Sequence, residues 1–376
     1  MNRREFIAGG VVSLATAKWL SGEAFAAPAA QHVTPKVEEG VHWYNPQDWG
    51  IEGKGWNDTE RYYDRLPKKA HGVVRDVVWN LSRHSAGMVV RFASDSPTIK
   101  IRYKLLSSRV AMTNMSAMGT SGVDLYGQLP DGRWSWVACS KPDKQEINAV
   151  LVTGLKPGYR AYMAYLPLYN GVESLEFGVN AGSWFVAQPP RTEKPIVFYG
   201  TSILHGASAS RPGMPHAAIL GRRLNKPFIN LGFSGNALME PEIASLLTEL
   251  DPAVYVIDAL PNMVPTLVKE RAENFLRKLR EAKPKIPIVC VEDRTYGDAP
   301  FIQSRRDRND GSRKEFKIAY DKLIKEGMTG LSYVEGENLL GDDFEATADG
   351  SHPSDLGFWR QAAVLEPVIR KALAGG

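Results

Sequence analysis

Between about residues 40 and 190, apolar and polar positions alternate in short runs, as in Met88-Val-Val-Arg-Phe92 and Ile99-Lys-Ile-Arg-Tyr103, with Gly, Pro, Asn and Asp between the runs. A period of two marks strands with one buried face, and a series of them closed by turn residues predicts an antiparallel β-sandwich. Pro189-Pro190-Arg-Thr-Glu-Lys-Pro195 then reads as a linker. Beyond it the pattern changes. Continuous apolar runs, Ile196-Val-Phe-Tyr199, Phe228-Ile-Asn-Leu231, Val254-Tyr-Val-Ile257, Ile288-Val-Cys-Val291 and a weaker Leu331-Ser-Tyr-Val334, alternate with segments of helical spacing. Ile243, Leu246, Leu247 and Leu250 recur at i, i+3, i+4 and i+7; so do Val268, Ala272, Phe275, Leu276 and Leu279, and then Phe316, Tyr320, Leu323 and Ile324. A last helix is expected from about Asp355 to Leu373, kinked at Pro367. Five βα units in succession predict a parallel sheet with helices on both faces. The fold class is therefore α/β: a three-layer parallel-sheet domain over residues 191–376, preceded by an antiparallel β-sandwich over 27–190.

The first 26 residues carry a different kind of information. Arg3-Arg4-Glu-Phe6-Ile7 precedes an apolar run through Ala17, and Ala24-Phe25-Ala26 is a small-residue cleavage site. The pair of arginines followed by x-Phe-Ile resembles a twin-arginine export signal, which implies a periplasmic or secreted mature protein beginning at Ala27. A membrane anchor fits less well, because Lys18 interrupts an apolar stretch shorter than the ~20 residues a spanning helix needs. No later segment qualifies, and no cysteine lies near the cleavage site to carry a lipid.

Composition narrows the partners only slightly. The 376 residues are 43% hydrophobic and 23% charged, with a net charge of +4 and no Lys/Arg run of five, so no nucleic-acid footprint is indicated. Cys139 and Cys290 are the only cysteines; a bridge between them would cross the domain boundary, and the apolar run around Cys290 favours a buried core thiol.

Ligands of an open parallel sheet bind beyond the carboxyl ends of its strands. After the first strand comes Gly200-Thr-Ser202-Ile-Leu-His205-Gly206; after the second, Gly232-Phe-Ser234-Gly235-Asn236; after the third, Asp258-Ala-Leu-Pro-Asn262; after the fifth, Asp349-Gly-Ser-His352-Pro353. Acyl transfer by serine requires a hydroxyl, an imidazole to take its proton, a carboxylate to orient that imidazole, and donors for the developing oxyanion.

In these blocks the chain resembles the SGNH/GDSL hydrolase superfamily from about residue 192 to the C-terminus. The resemblance implies a serine esterase with Ser202 as nucleophile and Asp349 and His352 as its partners. It also implies an oxyanion hole made of the backbone N–H groups of Ser202 and Gly235 and the side-chain amide of Asn262. Two blocks depart from the family pattern: Gly-Thr-Ser replaces Gly-Asp-Ser, and Leu-Pro-Asn replaces Gly-x-Asn-Asp. Gly122-Val-Asp124-Leu125-Tyr126 matches the G-x-D-L-Y signature of a module found before such esterase domains.

Each residue has a structural alternative: Ser202 as a helix N-cap, Gly235 as a left-handed turn, Asp349 as an Asx turn or helix cap, His352 at the surface. His205 and His216 flank the Ser202 loop and could compete as base, but His205, three residues from Ser202 in the same turn, is awkwardly placed to reach the hydroxyl and is expected as a substrate contact or structural residue. Glu292-Asp293-Arg294 follows the fourth strand and is expected to form ion pairs, with substrate positioning as the bolder reading. No metal-ligand spacing, Walker loop or dinucleotide fingerprint appears, so neither metal nor cofactor is expected. The substrate expected is a small-molecule or polysaccharide ester, with a carbohydrate acetylester first. Six of the eight tryptophans outside the leader precede residue 140, which suits sugar stacking and a sandwich core alike. Lipid or short-chain esterase, acyltransferase, and a non-catalytic carbohydrate-binding protein are the alternatives. The run Met112-Thr-Asn114-Met115-Ser-Ala-Met118 is expected as a strand near the domain interface.

Overall fold

The computed structural model describes residues 33–375; the paired arginines and the Ala24-Phe25-Ala26 site lie outside the described residues. The N-terminal region contains β1 (Lys36–Glu38), β2 (Val41–Tyr44), β3 (Val89–Ser94), β4 (Thr98–Leu105), β5 (Asp124–Gln128), β6 (Trp134–Cys139), β7 (Glu146–Thr153), β8 (Arg160–Tyr165), β9 (Val172–Asn180) and β10 (Phe185–Ala187). They form two antiparallel sheets, ordered β1-β2-β9-β4-β7 and β10-β3-β8-β5-β6. In β4 the alternation is complete: Ile99, Ile101, Tyr103 and Leu105 are buried while Lys100, Arg102 and Lys104 face outward. The buried set meets Phe92, Leu125, Tyr162 and Phe177 in the core between the sheets.

The parallel sheet follows: β11 (Ile196–Gly200), β12 (Phe228–Gly232), β13 (Val254–Asp258), β14 (Ile288–Val291) and β15 (Leu331–Val334), in the order β12-β11-β13-β14-β15. Strands covered on both faces read as continuous apolar runs, and β11 to β14 are wholly buried. β15 is an edge strand and half-buried, which accounts for its weaker signal. Alternate residues divide between two cores. Val197, Tyr199, Tyr255 and Cys290 face α5 (Pro241–Thr248), α6 (Pro265–Ala282) and α7 (Gln303–Lys325). Ile196, Phe198, Val256 and Val289 face α4 (His216–Arg223) and α8 (Asp355–Ala374).

The structure adds detail to several sequence expectations. Helix α7 starts at Gln303, well before the apolar stripe at Phe316, because its first turns bury Asn309, Ser312 and Arg313 through hydrogen bonds instead of apolar contact. Helix α8 continues through Pro367, its apolar face of Phe358, Ala362, Leu365 and Ile369 remaining against the sheet. The Pro189–Pro195 stretch is pinned: Arg191 makes a bidentate pair with buried Glu52, both contacts at 2.7 Å. Cys139 and Cys290 are free and buried. Part of the N-terminal region leaves the sandwich altogether. Leu66, Ala70, Val74 and, from α1 (Asp76–Ser82), Val78 and Trp79 enter the core beneath α5 and α6.

Candidate active site

β11 ends at Gly200, and the chain turns at once into a single helical turn, α3 (Ser202–His205). The N-cap of that turn is Thr201, whose side chain accepts from the Ile203 N–H, so the capping role open to Ser202 is filled by its neighbour. Gly206 closes the turn at φ 111°. This leaves the Ser202 hydroxyl free to face the loop before α8, where its Oγ lies 2.9 Å from Nε2 of His352. Nδ1 of His352 is 2.7 Å from Oδ2 of Asp349, and the other carboxylate oxygen accepts the backbone N–H groups of Ser351 and His352 at 3.2 and 2.8 Å. Asp349 thus makes the Asx turn and orients the ring at the same time. Partial burial works to raise the Asp349 carboxyl, but the bonds from the His352 backbone and ring outweigh it and hold it below the usual carboxylate value. The side chains of His352 and Asp349 retain 25% and 39% exposure, so the pair sits on an open rim.

The second loop is hydrogen-bonded to the first, and the third to the second. The Phe233 N–H donates to Gly200 O at 2.8 Å, and Ala237 N–H donates to Oδ1 of Asn262 at 3.2 Å. That bond commits the oxygen of the Asn262 carboxamide and leaves its NH2 end as the donor available elsewhere. Gly235 has φ +70°, and no heavy atom lies within 4 Å of where a Cβ would stand. A serine, an imidazole and a carboxylate joined in sequence by hydrogen bonds can carry out acyl transfer.

A model of the GDSL-like lipase/acylhydrolase family matches residues 193–370, and one described as the GxDLY N-terminus of SGNH-hydrolase-type esterases matches residues 41–185. A solved structure described as a GDSL-like lipase from Bacteroides ovatus is 32% identical, with 89% of this chain and 98% of that one aligned at a TM-score of 0.85. The chain belongs to the GDSL-like lipase/acylhydrolase family. The salicylyl-acyltransferase SsfX3 of a tetracycline biosynthetic pathway shares the fold at 18% identity and TM-score 0.71, covering 90% of this chain and 100% of its own. An acetyl xylan esterase from the rumen bacterium Butyrivibrio proteoclasticus does so at 13% identity and TM-score 0.57, covering 89% and 99%. No curated protein sequence matches.

Within this GDSL-like esterase the other candidate residues fall into supporting positions. The His205 ring is buried, stacked on Tyr169 at 4.1 Å between centroids, with Nε2 3.3 Å from Nδ1 of His84. Burial, reinforced by the Arg65 charge, holds it well below the usual histidine value, so it stays neutral. His216 is buried between Phe198 and Phe358 and kept neutral likewise, by burial and then by Arg294. Glu292-Asp293-Arg294 forms internal pairs. Arg294 forks onto Asp258, and Asp293 meets Arg308 at 3.3 Å and Asn309 at 3.0 Å, its carboxyl pushed up to about 6 by burial. Glu292 accepts from Tyr333 and the Gly336 N–H at 2.6 and 2.7 Å. Among the described residues, no group of three or more His, Cys, Asp or Glu is placed to hold a metal ion, and no helix is long and apolar enough to cross a membrane.

Residues that periodicity could not reveal hold the rim from the N-terminal side. Asp124 of Gly-Val-Asp-Leu-Tyr is fully buried and accepts from Gly213 N–H at 2.8 Å, Arg211 at 2.9 Å and the Trp136 indole at 2.9 Å. Tyr126 of the same motif accepts from Arg211 and occupies the space where a Cβ on Gly213 would stand, 2.4 Å from its ring. The motif is therefore a clamp on the loop leaving Ser202, and Ser210 in that loop is bonded to Asp355 at the start of α8. The methionine-rich run is a turn between Met112 and Met115 followed by α2 (Ala117–Ser121), not a strand. It lies against the same loop: Asn114 bonds Ser208 at 3.1 Å, and Met115 shares a core with Ala207 and Ala209.

Proposed function

We propose that this esterase removes acetyl groups from a carbohydrate by two-step acyl transfer, with Ser202 as nucleophile, His352 as general base and acid, and Asp349 as the carboxylate that orients His352. The single observation carrying the reading is the unbroken hydrogen-bond chain from Ser202 Oγ through the imidazole to Asp349, at 2.9 and 2.7 Å. Ser202 Oγ attacks the ester carbonyl while its proton passes to Nε2 of His352. The oxyanion forms in front of the N–H groups of Ser202 and Gly235 and the Asn262 amide, each such donor contributing roughly 3–4 kcal/mol to transition-state stabilisation. Collapse of the intermediate expels the alcohol, which takes the proton from His352. Water then attacks the acyl-enzyme, gives its proton to His352, and acetate leaves as Ser202 recovers it. The depressed Asp349 carboxyl stays ionised through both halves.

Three observations support a polymer-bound acetyl ester. His352 and Asp349 lie on an open rim that an extended chain can cross, and the fold neighbours include an acetyl xylan esterase and a family two carbohydrate esterase in complex with cellohexaose. The paired arginines and Ala24-Phe25-Ala26 fit an enzyme exported to meet such a polymer. The likeness to a salicylyl-acyltransferase supports a second reading, in which an acceptor alcohol replaces water in deacylation.

Hydrolysis of p-nitrophenyl acetate, butyrate and octanoate by the mature protein and by Ser202→Ala tests the mechanism, and acetate release from acetylated xylan tests the substrate. Acetate preference lost in the variant is expected. Octanoate preference would favour a lipid substrate, and acyl transfer to an added alcohol faster than hydrolysis would favour the transferase. A wild type as inactive as the variant on all of them would sink the catalytic reading in favour of a carbohydrate-binding role.

A further inference from the structure

The Gly235 N–H belongs to the planar peptide that also carries the Ser234 carbonyl, and the two point in opposite directions across a trans bond. Whatever holds that carbonyl therefore aims the N–H. Gly235 itself supplies no restraint, since φ is +70° and a Cβ would touch nothing. The Ser234 carbonyl accepts from Nδ2 of Asn236 at 2.8 Å. The Asn236 carboxamide is in turn oriented by Arg75, which donates to its Oδ1 at 2.6 Å and to the Asn236 backbone carbonyl at 3.0 Å. The same guanidinium reaches the far end of the loop, where Nε donates to Glu240 at 2.8 Å. Glu240 also accepts from Leu238 N–H at 3.2 Å. Arg75 lies in the span matched by the GxDLY module, outside the GDSL-like match.

We propose that Arg75 is a positioning residue for the oxyanion hole, acting through Asn236 to fix the Ser234–Gly235 peptide. The proposal rests on the esterase reading above, in which Gly235 N–H receives the oxyanion. Hydrogen bonds from a planar fork set both the place and the rotation of a carboxamide, and a lysine ammonium cannot do this from one point. The donor is then preorganised before substrate arrives, so the benefit appears in the transition state and not in binding.

The test is p-nitrophenyl acetate kinetics on the mature protein with Arg75→Met, Arg75→Lys, Asn236→Ala and the Arg75→Met/Asn236→Ala double variant, alongside thermal melts. Arg75 is 42% exposed, so its replacement leaves no large cavity. In Arg75→Met, kcat is expected to fall about tenfold with KM within about twofold, part of the ~10²–10³ that loss of an entire oxyanion donor costs. Arg75→Lys should recover only part of the loss, and the double variant should be no slower than Asn236→Ala. Wild-type kcat in Arg75→Met, losses that multiply in the double variant, or a loss that appears in KM or matches a lowered melting temperature would each overturn the proposal. A wild type whose turnover survives Ser202→Ala would instead overturn the site reading, and this proposal with it.

Discussion

Replacing Asp124 tests whether the G-x-D-L-Y motif is a clamp. Asp124→Ala removes the acceptor of three donors at once. The Gly213 amide is buried and would be left unpaired, at a cost of ~1–3 kcal/mol. Arg211 keeps 19% of its side chain exposed and can rehydrate in part, so its share falls below the ~3–5 kcal/mol of a fully stranded buried charge. The Trp136 indole is half-exposed and turns to water at little cost. Together these come to about 3–5 kcal/mol, a large part of the ~5–15 kcal/mol that holds a typical domain folded. Asp124→Asn keeps an oxygen for Gly213 and Arg211 but turns its NH2 toward the indole N–H, so it should lose about 1–3 kcal/mol. Urea unfolding is the assay, with the midpoint falling at unchanged slope. Because the clamped loop is bonded through Ser210 to Asp355, kcat on p-nitrophenyl acetate should fall together with stability. Asp124→Ala within about 0.5 kcal/mol of wild type, or Asp124→Asn less stable than Asp124→Ala, would refute the clamp.

Asn262→Ala should lower kcat by roughly 10²–10³ through loss of one oxyanion donor, with a slightly lower melting temperature because Ala237 N–H loses its acceptor; an unchanged kcat would remove Asn262 from the oxyanion hole. Asp349→Asn should cost about 10⁴ in kcat, the size seen when the orienting carboxylate of a serine triad becomes an amide, while unfolding stays nearly unchanged; activity above a tenth of wild type would exclude the orienting role. Glu52 is buried, which works to raise its carboxyl, but Arg191 and then Arg91 outweigh burial and hold it below the ordinary value. A depressed carboxyl contributes stability that is complete above its unfolded value of about 4.3 and is lost as pH falls through the lower folded value. Glu52→Gln should therefore be less stable than wild type at neutral pH, with the gap closing only below about pH 4; a gap that closes between pH 5 and 7 would contradict that sign.

What the sequence made legible follows from how local each signal is. Strands β11 to β14 are continuous apolar runs because both faces are covered, and that is visible in four or five residues. The blocks holding Ser202, Gly235, Asn262, Asp349 and His352 stood out because each follows a strand or opens the last helix, where a parallel sheet gathers its loops, and the family resemblance picked out these residues within them. The structure places Ser202, His352 and Asp349 in one hydrogen-bonded chain. Contacts between distant positions were not legible. Asp124 meets Arg211 across 87 residues and Arg65 meets Gly232 across 167, and no periodicity encodes either. The polar first turns of α7 were missed for the complementary reason: a helix held by hydrogen bonds from Asn309, Ser312 and Arg313 shows no apolar stripe.

Arg65 shows why the N-terminal module and the parallel sheet act as one body. It is almost wholly buried, and its guanidinium donates to four backbone carbonyls, two from each side: Leu81 and His84 at 2.6 and 2.9 Å, Asn230 and Gly232 at 3.0 and 2.8 Å. Burial lowers its pKa to about 9, still high enough to keep it cationic at neutral pH. A buried cation satisfied only by carbonyls is costly to uncover by halves, since withdrawing either pair strands a charge at several kcal/mol. Separation would also bare Leu66, Val78 and Trp79, which lie in the core beneath α5 and α6. On the opposite face Tyr169 donates to the Ser202 carbonyl at 3.3 Å, so the module touches the peptide of the proposed nucleophile itself. The rim proposed to carry the chemistry is thus built by the parallel sheet and held in place by the sandwich, and a fragment beginning at residue 191 should lose both stability and the geometry of the Ser202 turn.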